Sequence, residues 1–138
     1  MKRTEQKHRY TNVMLIDDND LDNFINEKTL EANLFAKKIY INTSAKSALE
    51  FLNNLITMGD SFSHVYPEVI FIDINMPMMD GFQFIDLFKK NILAQQQKPK
   101  LIILTSSVYH EDKQKARDLS TDIIFLNKPL TKEMLDKL

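Results

Sequence analysis

The chain has 138 residues, of which 18 are basic and 19 acidic, and it contains no cysteine. Nothing in that balance predicts a nucleic-acid or membrane surface, and the missing thiols exclude disulfides, thiolate metal sites and cysteine nucleophiles. No apolar run approaches the ~20 residues of a membrane-spanning helix, so the expectation is one cytoplasmic domain with no nucleic-acid or membrane partner.

Met1 to Tyr10 is polar and basic, without the apolar core of a signal peptide, and predicts a flexible tail over 1–10 ahead of a domain over 11–138. Val13-Met-Leu-Ile16 is a short apolar run that stops at Asp17-Asp18-Asn19-Asp20, a strand followed by helix-capping chemistry. Leu21 to Asn33 is the first predicted helix, with Phe24, Ile25, Leu30 and Ala32 as its apolar residues. Lys38-Ile-Tyr-Ile41 alternates and is flanked by charge, which predicts a short strand at a sheet edge. Ala45, Ala48, Leu49, Leu52, Leu55 and Ile56 share one helical face, with Ser44 as N-cap and Gly59 as C-cap.

A loop over 60–67 leads into Val69-Ile-Phe-Ile72, a run expected to be buried on both faces. It delivers Asp73 at its carboxyl end. Asn75 and Pro77 break the strand, Met76, Met78 and Met79 are expected to pack beneath the loop, and Asp80-Gly81 marks a turn. Phe84, Ile85, Phe88 and Ile92 make the next helical stripe, and Gln95 to Pro99 a polar connector. Leu101-Ile-Ile-Leu104 is a fourth strand, Tyr109 to Asp118 a mostly polar helix with Ala116 as its buried residue, and Ile123-Ile-Phe-Leu126 a fifth strand. Thr131 caps a last helix whose inner face is Met134, Leu135 and Leu138.

Strand and helix alternate five times. This predicts a doubly wound α/β domain, a five-stranded parallel sheet in the flavodoxin-like order 2-1-3-4-5. Ligands of such sheets collect beyond the carboxyl ends of the strands. At that rim the strands deliver Asp17 and Asp18, Asp73, Thr105 and Lys128. Carboxylates ~4 Å apart repel by about 4 kcal/mol per pair at an effective dielectric near 20, so a cation is needed. With hard oxygen donors and no nearby histidine or cysteine, Mg²⁺ fits best. A carboxylate nucleophile, a metal and fixed donors are the ingredients of phosphoryl transfer onto Asp73. Taken singly, each residue has a bland explanation: Asp18 and Asn19 cap a helix, Thr105 starts a turn, Lys128 is a solvated cation. Five such coincidences at corresponding strand ends are too many.

Val13–Asn19 (VMLIDDN), Phe71–Gly81 (FIDINMPMMDG), Leu101–Ser106 (LIILTS) and Asn127–Leu130 (NKPL) resemble the receiver domain of bacterial two-component response regulators, in a chemotaxis-regulator-like, stand-alone form. The resemblance implies that Asp73 is the phospho-acceptor. It implies that Asp17, Asp18, Asp73 and the backbone carbonyl of Asn75 hold Mg²⁺, and that Thr105 and Lys128 bind phosphoryl oxygens. It further implies a switch pairing Thr105 with Phe125 and a cis Lys128–Pro129 peptide. The implied partners are a sensor histidine kinase or histidine phosphotransfer protein and a downstream protein target. The implied chemistry is self-catalysed phosphorylation and dephosphorylation, without turnover of an external metabolite. One departure is the absence of glycine in Leu119-Ser-Thr-Asp122, ahead of the fifth strand. The alternative is a Mg²⁺-dependent phosphatase of the haloacid dehalogenase type. Its Asp-x-Asp motif belongs on the first strand, whereas Asp73-Ile-Asn75 follows the third and lacks the second acid.

Overall fold

Five strands alternate with five α-helices in the computed structural model, which describes residues 7–91 and 98–138. In chain order they are β1 (Tyr10–Ile16), α1 (Asp20–Ala32), β2 (Ala36–Asn42), α2 (Ala45–Met58), β3 (Val69–Ile72), α3 (Gly81–Asn91), β4 (Lys100–Thr105), α4 (His110–Leu119), β5 (Ile124–Asn127) and α5 (Lys132–Asp136). The loop predicted over 60–67 contains a 3-10 helix, Asp60–Val65. Ile92 and the connector residues Gln95 to Gln97 lie outside the described residues, as do Met1 to Gln6. The strands form one sheet in the order β2-β1-β3-β4-β5, and every neighbouring pair is parallel. None of the described helices is long and apolar enough to cross a membrane.

Because successive side chains on a strand point to opposite faces, the sheet divides its apolar residues into two cores. Met14, Ile16, Ile70, Ile72 and Ile103 pack with α2, α3 and α4. Val13, Leu15, Val69, Phe71, Ile102 and Leu104 pack with Leu30 of α1 and Leu135 of α5. All four residues of β3 are buried, as expected for the central strand of a sheet covered on both faces. β5 is an edge strand whose four residues are only half-buried.

The capping predictions hold in α2 and α5. The Ser44 hydroxyl accepts from Ser47 N and the Thr131 hydroxyl from Met134 N, each satisfying an amide that the helix cannot. At Gly59 the backbone has φ +81°, a conformation that glycine enters without the Cβ penalty.

Three expectations change. The tail predicted over 1–10 is too long, because Tyr10 opens β1 and pairs with Ala36. Arg9 donates its backbone N–H to Leu34 O at 3.0 Å and its guanidinium to Leu135 O at 2.7 Å. Strand pairing uses backbone groups, so the polar Tyr10-Thr11-Asn12 carries no apolar cue. In α1, Phe24 and Ile25 are exposed while Asn23 and Asn26 are buried. The cause at Asn23 is a polar contact, its side-chain amide donating to Asp17 O at 2.8 Å. Finally, Met78 does not pack beneath its loop. It is fully exposed at φ +69°, whereas Met76 is buried and Met79 partly so.

Candidate functional site

The ladder of the sheet runs one residue past the strand ends, and that residue is a site candidate each time. Asp17 N donates to Asn42 O at 3.1 Å, Asp73 N to Ile16 O at 3.0 Å, and Lys128 N to Thr105 O at 2.9 Å. Each side chain is therefore launched from a backbone fixed by the neighbouring strand. Alternation then decides direction. Asp17 follows Val13 and Leu15, Asp73 follows Val69 and Phe71, and Lys128 follows Ile124 and Leu126, all of which face the core under α1 and α5. Thr105 follows Ile103, which faces the other core.

The contacts match this division. The Lys128 ammonium lies 2.5 Å from Asp17 Oδ2, 3.0 Å from Asp73 Oδ2 and 2.8 Å from Asp22 Oδ2. Asp22 stands in the first turn of α1 and is the contact that the sequence alone does not disclose. Asp17 and Asp73 are buried, at 4% and 5% exposure. Asp17 Oδ1 accepts from Asn19 N at 2.9 Å, and Asp73 Oδ1 from Asn75 N at 3.2 Å. Fully buried Thr105 turns its hydroxyl to the opposite side, where Oγ1 accepts from Ser107 N at 3.2 Å and from Asn75 Nδ2 at 3.5 Å. Phe125 is half-buried against the core containing Ile103, with the Lys113 ammonium 5.9 Å from its ring centre. The Lys128–Pro129 peptide is cis.

Electrostatically the cluster is short of positive charge. Burial pushes the Asp17 carboxyl above the usual range, and hydrogen bonds from Lys128 and Asn19 oppose that rise only in part. Burial alone would pull the Lys128 ammonium down, but its three carboxylate partners outweigh it and hold the group charged. Asp17, Asp18 and Asp73 each bring a carboxylate oxygen to within 4.8 Å of the others. Asp18 is exposed and has no ion-pair partner among the described residues. One ammonium thus faces four carboxylates, counting Asp22. An all-oxygen donor set with surplus negative charge and an open side fits a small hard divalent cation.

A surface groove of about 630 Å³, lined by residues including Asn12, His64, Glu68 and Lys100, opens at the amino ends of β1, β3 and β4 and contains none of the predicted site residues. Asn23 is a further residue that sequence reasoning misses; it holds the Asp17 carbonyl from below, and its Oδ1 is buried without a hydrogen-bond partner among the described residues.

A parallel 2-1-3-4-5 sheet with an acidic cluster at the carboxyl ends of its strands defines a doubly wound α/β domain whose site lies where such sheets bind their ligands. The match to the response regulator receiver domain runs over residues 13–138, and the chain belongs to that family. It is 32% identical over 133 residues to Protein PilG of Pseudomonas aeruginosa, an alignment spanning 95% of this chain and 86% of PilG. A two component response regulator from Cytophaga hutchinsonii is 33% identical, with a TM-score of 0.81 and coverage of 95% of this chain and 94% of that one. The receiver domain of the histidine kinase CKI1 from Arabidopsis thaliana, complexed with Mg²⁺ and BeF₃⁻, shares the fold at a TM-score of 0.77 and 20% identity, covering 91% of this chain and 85% of its own. Family membership sets aside the haloacid dehalogenase alternative, and the chain is a module of phosphorylation-based two-component signalling.

Proposed function

We propose that Asp73 accepts a phosphoryl group from a phosphohistidine on a sensor kinase or histidine phosphotransfer protein, and that the product alters a surface read by a downstream protein in the cytoplasm. The observation that carries this reading is the Lys128 ammonium, which contacts Asp17 and Asp73 together across three strand ends. In the transfer, an Asp73 carboxylate oxygen forms the new P–O bond as the donor's P–N bond breaks. The electron pair returns to the imidazole nitrogen.

Residues of the chain prepare that step. The N–H of Asn75 holds Asp73 Oδ1, so the acceptor carboxylate is oriented before the donor arrives. Lys128 already touches Asp73 Oδ2 and is placed to follow the charge onto a phosphoryl oxygen. Thr105 Oγ1 accepts from two N–H donors, which leaves its own O–H free to donate to the incoming group. Asp17, Asp18, Asp73 and the Asn75 carbonyl are the groups that would hold Mg²⁺. When bound, the ion supplies the positive charge that one ammonium among four carboxylates lacks. The chain's chemistry is confined to gaining and losing its own phosphoryl group. Thr105 and Phe125 form the switch: displacement of the hydroxyl towards the phosphoryl group opens room for the half-buried ring.

Incubation with acetyl phosphate and Mg²⁺ tests the assignment by mass. One added phosphoryl group on the wild-type chain and none on Asp73→Asn is the expected result. An unlabelled wild type, or label that persists in Asp73→Asn, refutes it.

A further inference from the structure

On the face of β5 turned towards α4, two residues beyond Phe125, stands Asn127, a side chain the chemistry above leaves unused. It is in register with Thr105. Its amide nitrogen donates to Thr105 O at 3.3 Å and to Ser107 O at 2.6 Å. The carboxamide therefore brackets the turn Thr105-Ser106-Ser107 from the neighbouring strand. Ser107 is buried, at 6% exposure. Its N–H donates to Thr105 Oγ1 at 3.2 Å, and its hydroxyl accepts from Tyr109 N at 3.3 Å and donates to Asp112 Oδ2. Asp112 lies in the first turn of α4, where the N-cap Tyr109 makes no side-chain capping bond.

These bonds give Thr105 a second set of dependents besides Phe125. A buried N–H left without an acceptor is costly, so if the Thr105 hydroxyl moves towards a phosphoryl group, the Ser107 N–H follows it. Ser107 O is restrained by Asn127, which turns that displacement into a pivot of the Ser107 peptide. The hydroxyl of the same residue is bonded to Asp112, so the pivot is felt at the start of α4.

We propose that the hydrogen-bond chain Asn127–Ser107–Asp112 carries the state of Thr105 to the first turn of α4, with Asn127 as the positioning residue that anchors its fixed end. The inference rests on the receiver reading of the site, and it assigns the coupling to polar contacts that act alongside the aromatic ring.

The test uses the full chain with beryllofluoride and Mg²⁺ as the phosphoryl mimic, and follows amide hydrogen exchange across His110 to Gln114. Exchange in this turn is expected to change when the wild type binds the mimic. Asp112→Ala and Asn127→Leu are expected to lose most of that change while still binding it, and Asp112→Asn, which keeps an acceptor for Ser107, to retain it. Should Asn127→Leu fail to fold, the Asp112 pair decides alone. An α4 response of equal size in wild type and Asp112→Ala overturns the inference, as does a wild-type α4 that does not respond. Absence of mimic binding in the wild type, or binding that survives Asp73→Asn, is a different failure. It overturns the receiver-site reading, and the coupling falls with it.

Discussion

The Lys128 ammonium is bonded to Asp22 at 2.8 Å, joining the end of β5 to the first turn of α1 across 106 residues of sequence. Asp22 is the more exposed partner, at 36% of its side chain, so solvent screens the pair and its contribution to stability is below about 1 kcal/mol. Asp22→Asn is expected to shift the urea midpoint little and to speed labelling of Asp73 by acetyl phosphate. The labelling rises because the ammonium loses a competing carboxylate and the dianionic donor loses a repelling one. Slower labelling in the variant counts against this role.

Removing the ammonium is different. Lys128→Met leaves Asp17 and Asp73 buried without their counter-ion, at a cost of about 3–5 kcal/mol in metal-free protein. A cation that binds only the folded state stabilises it by mass action. Thermal melts with and without Mg²⁺ should therefore show a larger Mg²⁺-dependent gain in Lys128→Met than in the wild type. A gain equal to or smaller than wild type rules out charge surplus as the reason for the metal.

Gly81 makes a third prediction. A Cβ there would sit 2.5 Å from Asp73 O and 2.8 Å from Ile74 Cα, and neither backbone atom moves without moving the acceptor. Gly81→Ala is expected to cost roughly 1–3 kcal/mol and to weaken Mg²⁺ binding, measured by urea denaturation and metal titration of the same sample. Unchanged metal affinity would show that the Asp73 loop tolerates the shift.

Tyr66 offers a pH test away from the site. Its hydroxyl is buried with no hydrogen-bond partner among the described residues, and burial pushes its pKa upwards. In the unfolded chain a tyrosine titrates near pH 10. Below that pH the protonated phenol contributes its full share to stability. As pH rises past about 10, the unfolded chain releases a proton that the folded chain retains, and stability falls. Tyr66→Phe is expected to flatten this alkaline decline and to gain about 1 kcal/mol at neutral pH by removing an unsatisfied group. Identical pH profiles for the two proteins would contradict the assignment.

Much of the fold and the site is legible in the residues, for a physical reason. Strands buried on both faces carry unbroken apolar runs, so those of β3 and β4 stop visibly at Asp73, the residue after β3, and at Thr105, the last residue of β4. Caps are local, and Ser44 and Thr131 are found by their chemistry alone. Contacts set by packing are not legible in this way. Asp22 has the composition of any acidic first helical turn, and its partner is on another strand. Asn23 looks like a solvent-facing residue until the Asp17 carbonyl is seen beside it. Phe24 and Ile25 look like core for the converse reason. Asn127 carries no signal in sequence, because its acceptors are main-chain oxygens.

The cluster of Asp17, Asp73 and Lys128 spans positions 17 to 128, brought together only when β1, β3, β4 and β5 lie side by side. Such non-local pairing is late and slow in a folding chain, and no single hairpin or fragment contains the cluster. The carboxylates proposed to hold magnesium sit at the ends of β1 and β3 alone, so capture of the ion would certify the pairing of those two strands, and engagement of Lys128 the completion of the sheet out to β5. A refolding experiment followed by metal uptake would time the meeting of β1 and β3 without any added label.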